Sequence, residues 1–204
     1  MQNFFIVIFS VSLIYSCDKV EDPTNNETDG YQQFGTPMSN IPENEELVMY
    51  EVNLRAFSAE GDLEGVQNRL DQIDELGVNV IWLMPIQING GPINSPYSIS
   101  DYYSVDEEYG TLENLRNFIA EAHNRNMLVI LDWVANHTAW DHSWMADSSW
   151  YTQDVNGNII HPAGTNWTDV ADLNFDNDSM ANQMIDAMKY WVLEANADGY
   201  RCDA

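Results

Sequence analysis

Val78-Asn79-Val80-Ile81-Trp82-Leu83-Met84-Pro85-Ile86 is the stretch that decides the fold. It is almost continuously apolar, with Gly77 before it and a Gly/Pro/Asn/Ser-rich loop over 90–100 after it. A strand with one wet face would alternate; a continuous run suits a parallel sheet covered on both faces. Upstream, Leu63, Val66, Leu70, Ile73 and Leu76 recur at intervals of three and four and predict one helix, capped by Asp62 and ended by Gly77. Residues 47–58, apolar and aromatic, read as a strand before it.

Downstream the alternation continues. A second helix begins after Thr111, with Leu112, Leu115, Phe118, Ile119 and Ala122 inward. Residues 127–135 read as a third strand. An insertion of about forty residues follows, a small domain over 138–178, with Trp140, Trp144, Trp150 and Trp167 and a turn at Asn156-Gly157. A third helix runs near 179–195, with Met184, Met188, Trp191 and Val192 on one side. Residues 199–203 make the fourth strand.

Repeated strand–helix–strand units imply right-handed crossovers and a parallel α/β sheet. A doubly wound open sheet fits this much, but no Gly-x-Gly-x-x-Gly follows the first strand. The long loops after the second and third strands favour a (β/α)8 TIM barrel, which builds its site from loops at the C-terminal strand ends. Four strands are half of one. The chain is therefore expected to be the front part of an enzyme, truncated after the fourth strand, with an insertion between third strand and third helix.

Chemistry-bearing residues gather at that end. Arg201 and Asp203 are two apart on the fourth strand and share a face. A guanidinium beside a carboxylate favours its ionised form, as a nucleophile requires. Asp132 and Asn136 share a face at the end of the third strand, with His137 just past the tip. Tyr97 and Asp101 lie in the loop after the second. Cys202, between Arg201 and Asp203, is expected as a small core residue.

These motifs resemble those of the alpha-amylase family of glycoside hydrolases. Asp132-Trp133-Val134-Ala135-Asn136-His137 is similar to its Asp-x-Val-x-Asn-His motif, and Gly199-Tyr200-Arg201-Cys202-Asp203-Ala204 to its Gly-[Phe/Tyr]-Arg-x-Asp-Ala motif. Residues 77–86 resemble its second-strand pattern ending in Trp-Leu-x-Pro. Val170-Ala171-Asp172-Leu173-Asn174 resembles the short motif near the end of the insertion, where the family usually has Leu-Pro in place of Val170-Ala171.

The resemblance implies a retaining glycosidase acting on α-1,4-linked glucans of starch or maltodextrin type, in carbohydrate catabolism. Asp203 would be the nucleophile and Arg201 its partner. His137 would bind a sugar hydroxyl, Tyr97 would stack on the sugar, and Asp132 would pair with Arg201. Asn136 and Asp172 match positions that bind a structural Ca2+, a hard cation that takes oxygen ligands. The general acid would come from a later strand, leaving the 204 residues inactive alone. Two other readings remain: a non-catalytic carbohydrate-binding or scaffold relative, and a transglycosylase or isomerase of the same family.

Composition agrees with a neutral substrate. Lys plus Arg number 7 against 33 Asp plus Glu, a formal net charge of −26. That balance argues against nucleic acid, whose phosphates demand a basic face. Residues 1–16 are uncharged and read as an export signal. Leu13-Ile14-Tyr15-Ser16-Cys17 resembles a bacterial lipobox, which implies lipidation at Cys17 and a membrane anchor that does not span. Residues 17–45 read as a flexible acidic tether to a domain over 46–204. The expected location is the outer membrane or cell surface, or else the periplasm or exterior.

Overall fold

In a computed structural model of the chain, residues 30–91 and 95–203 are described. Residues 1–29, with the expected signal and Cys17, lie outside the described residues. A compact unit begins at Tyr31.

Its frame is a four-stranded sheet of β1 (Met49–Val52), β2 (Val80–Leu83), β5 (Leu128–Val134) and β8 (Gly199–Asp203). The order is β1-β2-β5-β8 and every pairing is parallel. One turn of helix, α1 (Leu54–Phe57), leaves β1. Then come α2 (Leu63–Gln67) and α3 (Leu70–Asp74) where one helix is predicted. The break falls at Arg69, whose φ of −121° and ψ of 11° leave the helical region. Asp62 caps α2 by accepting from the Gly65 N–H at 2.8 Å. Gly77 adopts φ 77°, the left-handed turn that glycine takes without a Cβ clash.

The loop after β2 contains a short antiparallel hairpin, β3 (Gln87–Asn89) and β4 (Ile99–Val105), so Asp101 sits in a strand and not in a loop. Next comes α4 (Leu112–His123), capped by Thr111. The insertion opens with β6 (His137–Ala139) and closes with β7 (Val170–Asp172), paired antiparallel. Trp144 and Trp150 meet edge to face at 5.3 Å, and Trp144 leans on Tyr102 at 5.0 Å, so the insertion packs onto the main core. Gly157 turns the Asp154–Asn158 segment with φ 83°, and the Asp154 carboxylate accepts from the N–H of Asn156 and of Asn158. Last is α5 (Asp178–Ala195), which ends on Asn196 in the left-handed conformation.

The two faces of the sheet differ. Ile81, Leu83, Val129, Leu131 and Trp133 alternate toward the helices and are fully buried. Trp133 donates its indole N–H to the Met184 sulfur of α5. The other face carries Trp82, Ile130, Asp132, Arg201 and Asp203, and among the described residues it is only partly covered at Trp82 and Ile130. On that same face Val80, Leu128, Asp132 and Val134 are buried, so the burial on both faces expected from the continuous run is present and is incomplete at Trp82 and Ile130. Cys202 also departs from expectation: it is exposed, because β8 is an edge strand and nothing described covers that position. Val192 is exposed as well. The buried stripe of α5 is Met180, Met184, Ala187, Trp191 and Ala195.

Part of the expected tether is docked. The Phe34 N–H donates to the Leu193 carbonyl at 2.7 Å, and the Arg116 guanidinium covers the Phe34 ring at 4.2 Å. Tyr31 and Tyr103 both donate to one oxygen of Asp186, each at 2.9 Å. Among the described residues no helix is long and apolar enough to cross a membrane.

Candidate active site

The register of β5 and β8 sets Asp132 opposite Arg201 and Val134 opposite Asp203. Arg201 and Asp203 share a face by strand periodicity, and Asp132 joins them across one pairing. Arg201 Nη1 donates to Asp203 Oδ1 at 2.7 Å and to Asp132 Oδ2 at 3.2 Å. One guanidinium therefore spans both carboxylates.

Asp132 is wholly buried. Its Oδ2 also accepts from the Trp82 indole N–H at 3.1 Å and the Tyr97 hydroxyl at 3.2 Å. Burial raises its carboxyl above the usual aspartate range; Arg201 and the two neutral donors pull the other way. The same charge and burial push the Tyr97 phenol up to about 12, so it stays a donor at neutral pH.

His137, the first residue of β6, turns toward the same cleft. Its Nε2 meets the Tyr97 carbonyl at 3.1 Å, and its Nδ1 meets Asn136 Nδ2 at 3.2 Å. A carbonyl can only accept, so Nε2 carries the proton and Nδ1 receives the Asn136 amide. Burial pushes the His137 pKa down, toward the neutral form. A sugar hydroxyl at Nε2 has to share or replace the Tyr97 carbonyl.

The cleft measures about 380 Å³ and is lined by Ser95, Tyr97, His137, Trp167, Asp169, Val170 and Asp203. Of three neighbouring tyrosines only Tyr97 lines it. Tyr102 is buried and donates to the Val134 carbonyl, and Tyr103 turns to Asp186. Trp167 is 47 % exposed and meets His137 edge to face at 5.7 Å. Its segment is braced by the Trp140 indole, which donates to the Thr168 carbonyl at 3.0 Å.

Three lining or supporting residues have no role in the sequence reading. Trp82 is legible there as strand and as part of the Trp-Leu-x-Pro pattern, without a role; its alternation with Asp132 across β2 and β5 is the signal that could have found one. Ser95 and Asp169 carry no motif that points to the cleft.

Asn136 and Asp172 come together through the backbone. The Leu173 N–H donates to the Asn136 carbonyl at 3.1 Å, and Asp172 pairs with His137 in the β6–β7 ladder. Among the described residues no group of three or more His, Cys, Asp or Glu converges on one point. Any cation at these two side chains draws the rest of its ligands from carbonyls, amides or water.

Comparison with known proteins agrees with the motifs. The alpha amylase catalytic domain profile matches residues 18–161, well over half of the chain. The chain is 32% identical over 194 residues to "Alpha-amylase 3" of Dictyoglomus thermophilum, covering 81% of this chain and 38% of that protein. It is also 32% identical over 194 residues to "Oligo-1,6-glucosidase" of Bacillus cereus, covering 78% and 34% respectively. The crystal structure of an alpha-amylase from Lactobacillus plantarum superposes with a TM-score of 0.72 at 35% identity, covering 78% of this chain and 38% of that one. The chain thus spans little more than a third of the length of the curated relatives it matches. The relatives' fold implies a (β/α)8 barrel, of which the described residues form four parallel strands. With its strand-end carboxylates, its cleft and these likenesses taken together, the chain belongs to the alpha-amylase family of glycoside hydrolases.

Proposed function

We propose that the chain carries the nucleophile side of a retaining glycosidase that cleaves α-1,4-glucosidic bonds in starch or maltodextrin-type glucans. The observation that carries this reading is the Arg201 bridge between Asp203 and Asp132 at the base of a cleft walled by Tyr97, His137 and Trp167. Asp203 attacks the anomeric carbon as the glycosidic C–O bond breaks, and a carboxylic acid gives its proton to the departing oxygen. Water then hydrolyses the glycosyl ester and restores Asp203.

Arg201 orients the attacking carboxylate through its 2.7 Å bond. Tyr97 offers its ring to the sugar while its hydroxyl is tied to Asp132. His137 presents an Nε2–H to a sugar hydroxyl. Asp132 is too deeply buried to reach the glycosidic oxygen and serves as the partner of Arg201. By the family resemblance the proton donor comes from a later barrel strand.

Asn136 and Asp172 hold a structural calcium ion where the insertion joins the barrel; both supply the hard oxygens calcium takes. The N-terminus directs export, with lipid at Cys17 holding the enzyme at the outer membrane or cell surface. The absence of charge over 1–16, the apolar run over 4–15 and the Ser16-Cys17 pair support that reading.

Trapping tests the central claim. A 5-fluoro α-glucosyl fluoride, incubated with the full-length protein, should leave a glycosyl ester that peptide mass spectrometry locates on Asp203. Ester on any other carboxylate, or no ester while substrate is turned over, would sink the assignment.

A further inference from the structure

We infer that Trp82 is a positioning residue for this site: its indole N–H fixes Asp132 and its ring face seats Arg201, so that the one guanidinium reaches Asp203. The inference deepens the glycosidase reading and rests on it for its kinetic arm only.

Two contacts on opposite features of one side chain carry the argument. The indole N–H donates to Asp132 Oδ2 at 3.1 Å. The ring lies beneath the Arg201 guanidinium, 4.8 Å from Cζ to centroid. A cation over a tryptophan face within about 6 Å is attracted by the ring quadrupole. Arg201 thus has a carboxylate on each side and an aromatic floor. Its side chain is 37 % exposed, so without the floor it has free volume into which to swing.

Asp132 needs the indole for another reason. It is fully buried, and its Oδ2 collects three donors: Trp82, Tyr97 and Arg201. A buried carboxylate is stable as an ion only where donors replace water. Tyr97 also lines the sugar cleft, so its donor stands where substrate binds. Trp82 is absent from the cleft lining, so its donor stays in place whatever the cleft holds. The backbone supports this division, because Trp82 sits on a central strand hydrogen-bonded on both sides, by β1 and β5.

Two substitutions in the full-length protein separate the two contacts. Trp82→Phe keeps a ring and removes the donor. Trp82→Gln keeps an N–H donor and removes the ring. Carbon-13 NMR of labelled aspartate carboxyls, with Asp132 assigned from Asp132→Asn, reads the first contact. In Trp82→Phe the Asp132 titration should rise by about one pH unit relative to wild type, because a donor to the charged form is lost. In Trp82→Gln it should stay near wild type. On maltooligosaccharides both variants should lose roughly tenfold in kcat with KM within about twofold, since the ring and the donor each act on orientation of the nucleophile. The acid limb of the pH profile should move up in Trp82→Phe alone.

The inference is overturned if Asp132 titrates identically in wild type and Trp82→Phe. It is also overturned if both variants lose kcat equally while neither pH limb moves, because that pattern is general loosening. Should Trp82→Phe fail to fold, Trp82→Met decides: it too lacks the donor, and Asp132 must titrate higher in it than in wild type. A wild-type protein that turns over no α-glucoside, while the Asp132 shift appears as expected, would leave the positioning role intact and refute the glycosidase reading.

Discussion

Arg201 and Asp203 lie two residues apart on one edge strand, with Nη1 of the first 2.7 Å from Oδ1 of the second. The same nitrogen reaches Asp132 on the neighbouring strand at 3.2 Å. Removing Asp203 therefore leaves Arg201 with a partner, and this asymmetry separates catalysis from stability.

Asp203→Asn in the full-length enzyme should lower turnover of maltooligosaccharides by more than about a thousandfold, because an amide cannot form the glycosyl ester. Its melting temperature should stay close to wild type. Retained turnover would remove Asp203 from the reaction.

Trp167 stands in the cleft wall against His137 and is nearly half exposed. An exposed aromatic face there offers stacking area to a sugar ring. Trp167→Ala should weaken binding by on the order of 1 kcal/mol, about fivefold in KM or in the Kd for maltotriose, with kcat little changed. Equal affinity in the variant would assign Trp167 to packing alone. Trp140→Phe should reproduce part of the loss, since it frees the Thr168 carbonyl that braces the segment.

His142 makes stability depend on acidity. It is buried, its Nδ1 accepts from the Trp144 N–H, and its Nε2 has no partner. Burial pushes its pKa down to about 4, with Asp101 and Asp141 opposing weakly. The unfolded chain then binds a proton that the folded chain refuses between the ordinary histidine pKa, near 6.5, and about 4. The sign follows: the contribution is whole above about pH 6.5 and is lost as pH falls toward 4, on the order of 2–3 kcal/mol. Urea midpoints between pH 7 and pH 4 should fall in wild type and fall less in His142→Gln, which keeps an acceptor and cannot titrate. Parallel curves would refute the assignment.

Tyr31 and Tyr103 share one oxygen of Asp186. Asp186→Ala should cost about 1 kcal/mol and increase amide exchange in residues 31–36, as two half-buried hydroxyls lose their acceptor. Unchanged exchange there would mean that the N-terminal strap is held by Phe34 and Arg116 instead.

Calcium at Asn136 and Asp172 predicts a melting temperature that drops on chelation and recovers with added Ca2+, as any ligand of the folded state requires. Asp172→Ala should abolish the response. A chelator-insensitive wild-type protein would remove calcium from the site.

The order of elements was readable from the chain because periodicity is a local property. The apolar run over 78–86, the stripes of α4 and α5, and the Asp62 and Thr111 caps each follow from neighbours within a few residues. So does the pairing of Arg201 with Asp203, since a strand repeats every two residues. Other features needed the third dimension. The split of the first helix at Arg69 and the β3–β4 hairpin inside a loop depend on contacts with distant segments. Exposure of Cys202 depends on which strand is the edge. Above all, the floor of the site joins Trp82, Asp132 and Arg201 from three strands, 50 and 69 residues apart along the chain. Sequence alone determined the parallel α/β frame and its strand-end carboxylates. The resemblance already paired Arg201 with both Asp203 and Asp132; only the registers of β2 on β5 and β5 on β8 decided that this guanidinium would be seated on an indole, because register is fixed by packing between strands and is not written within any one of them.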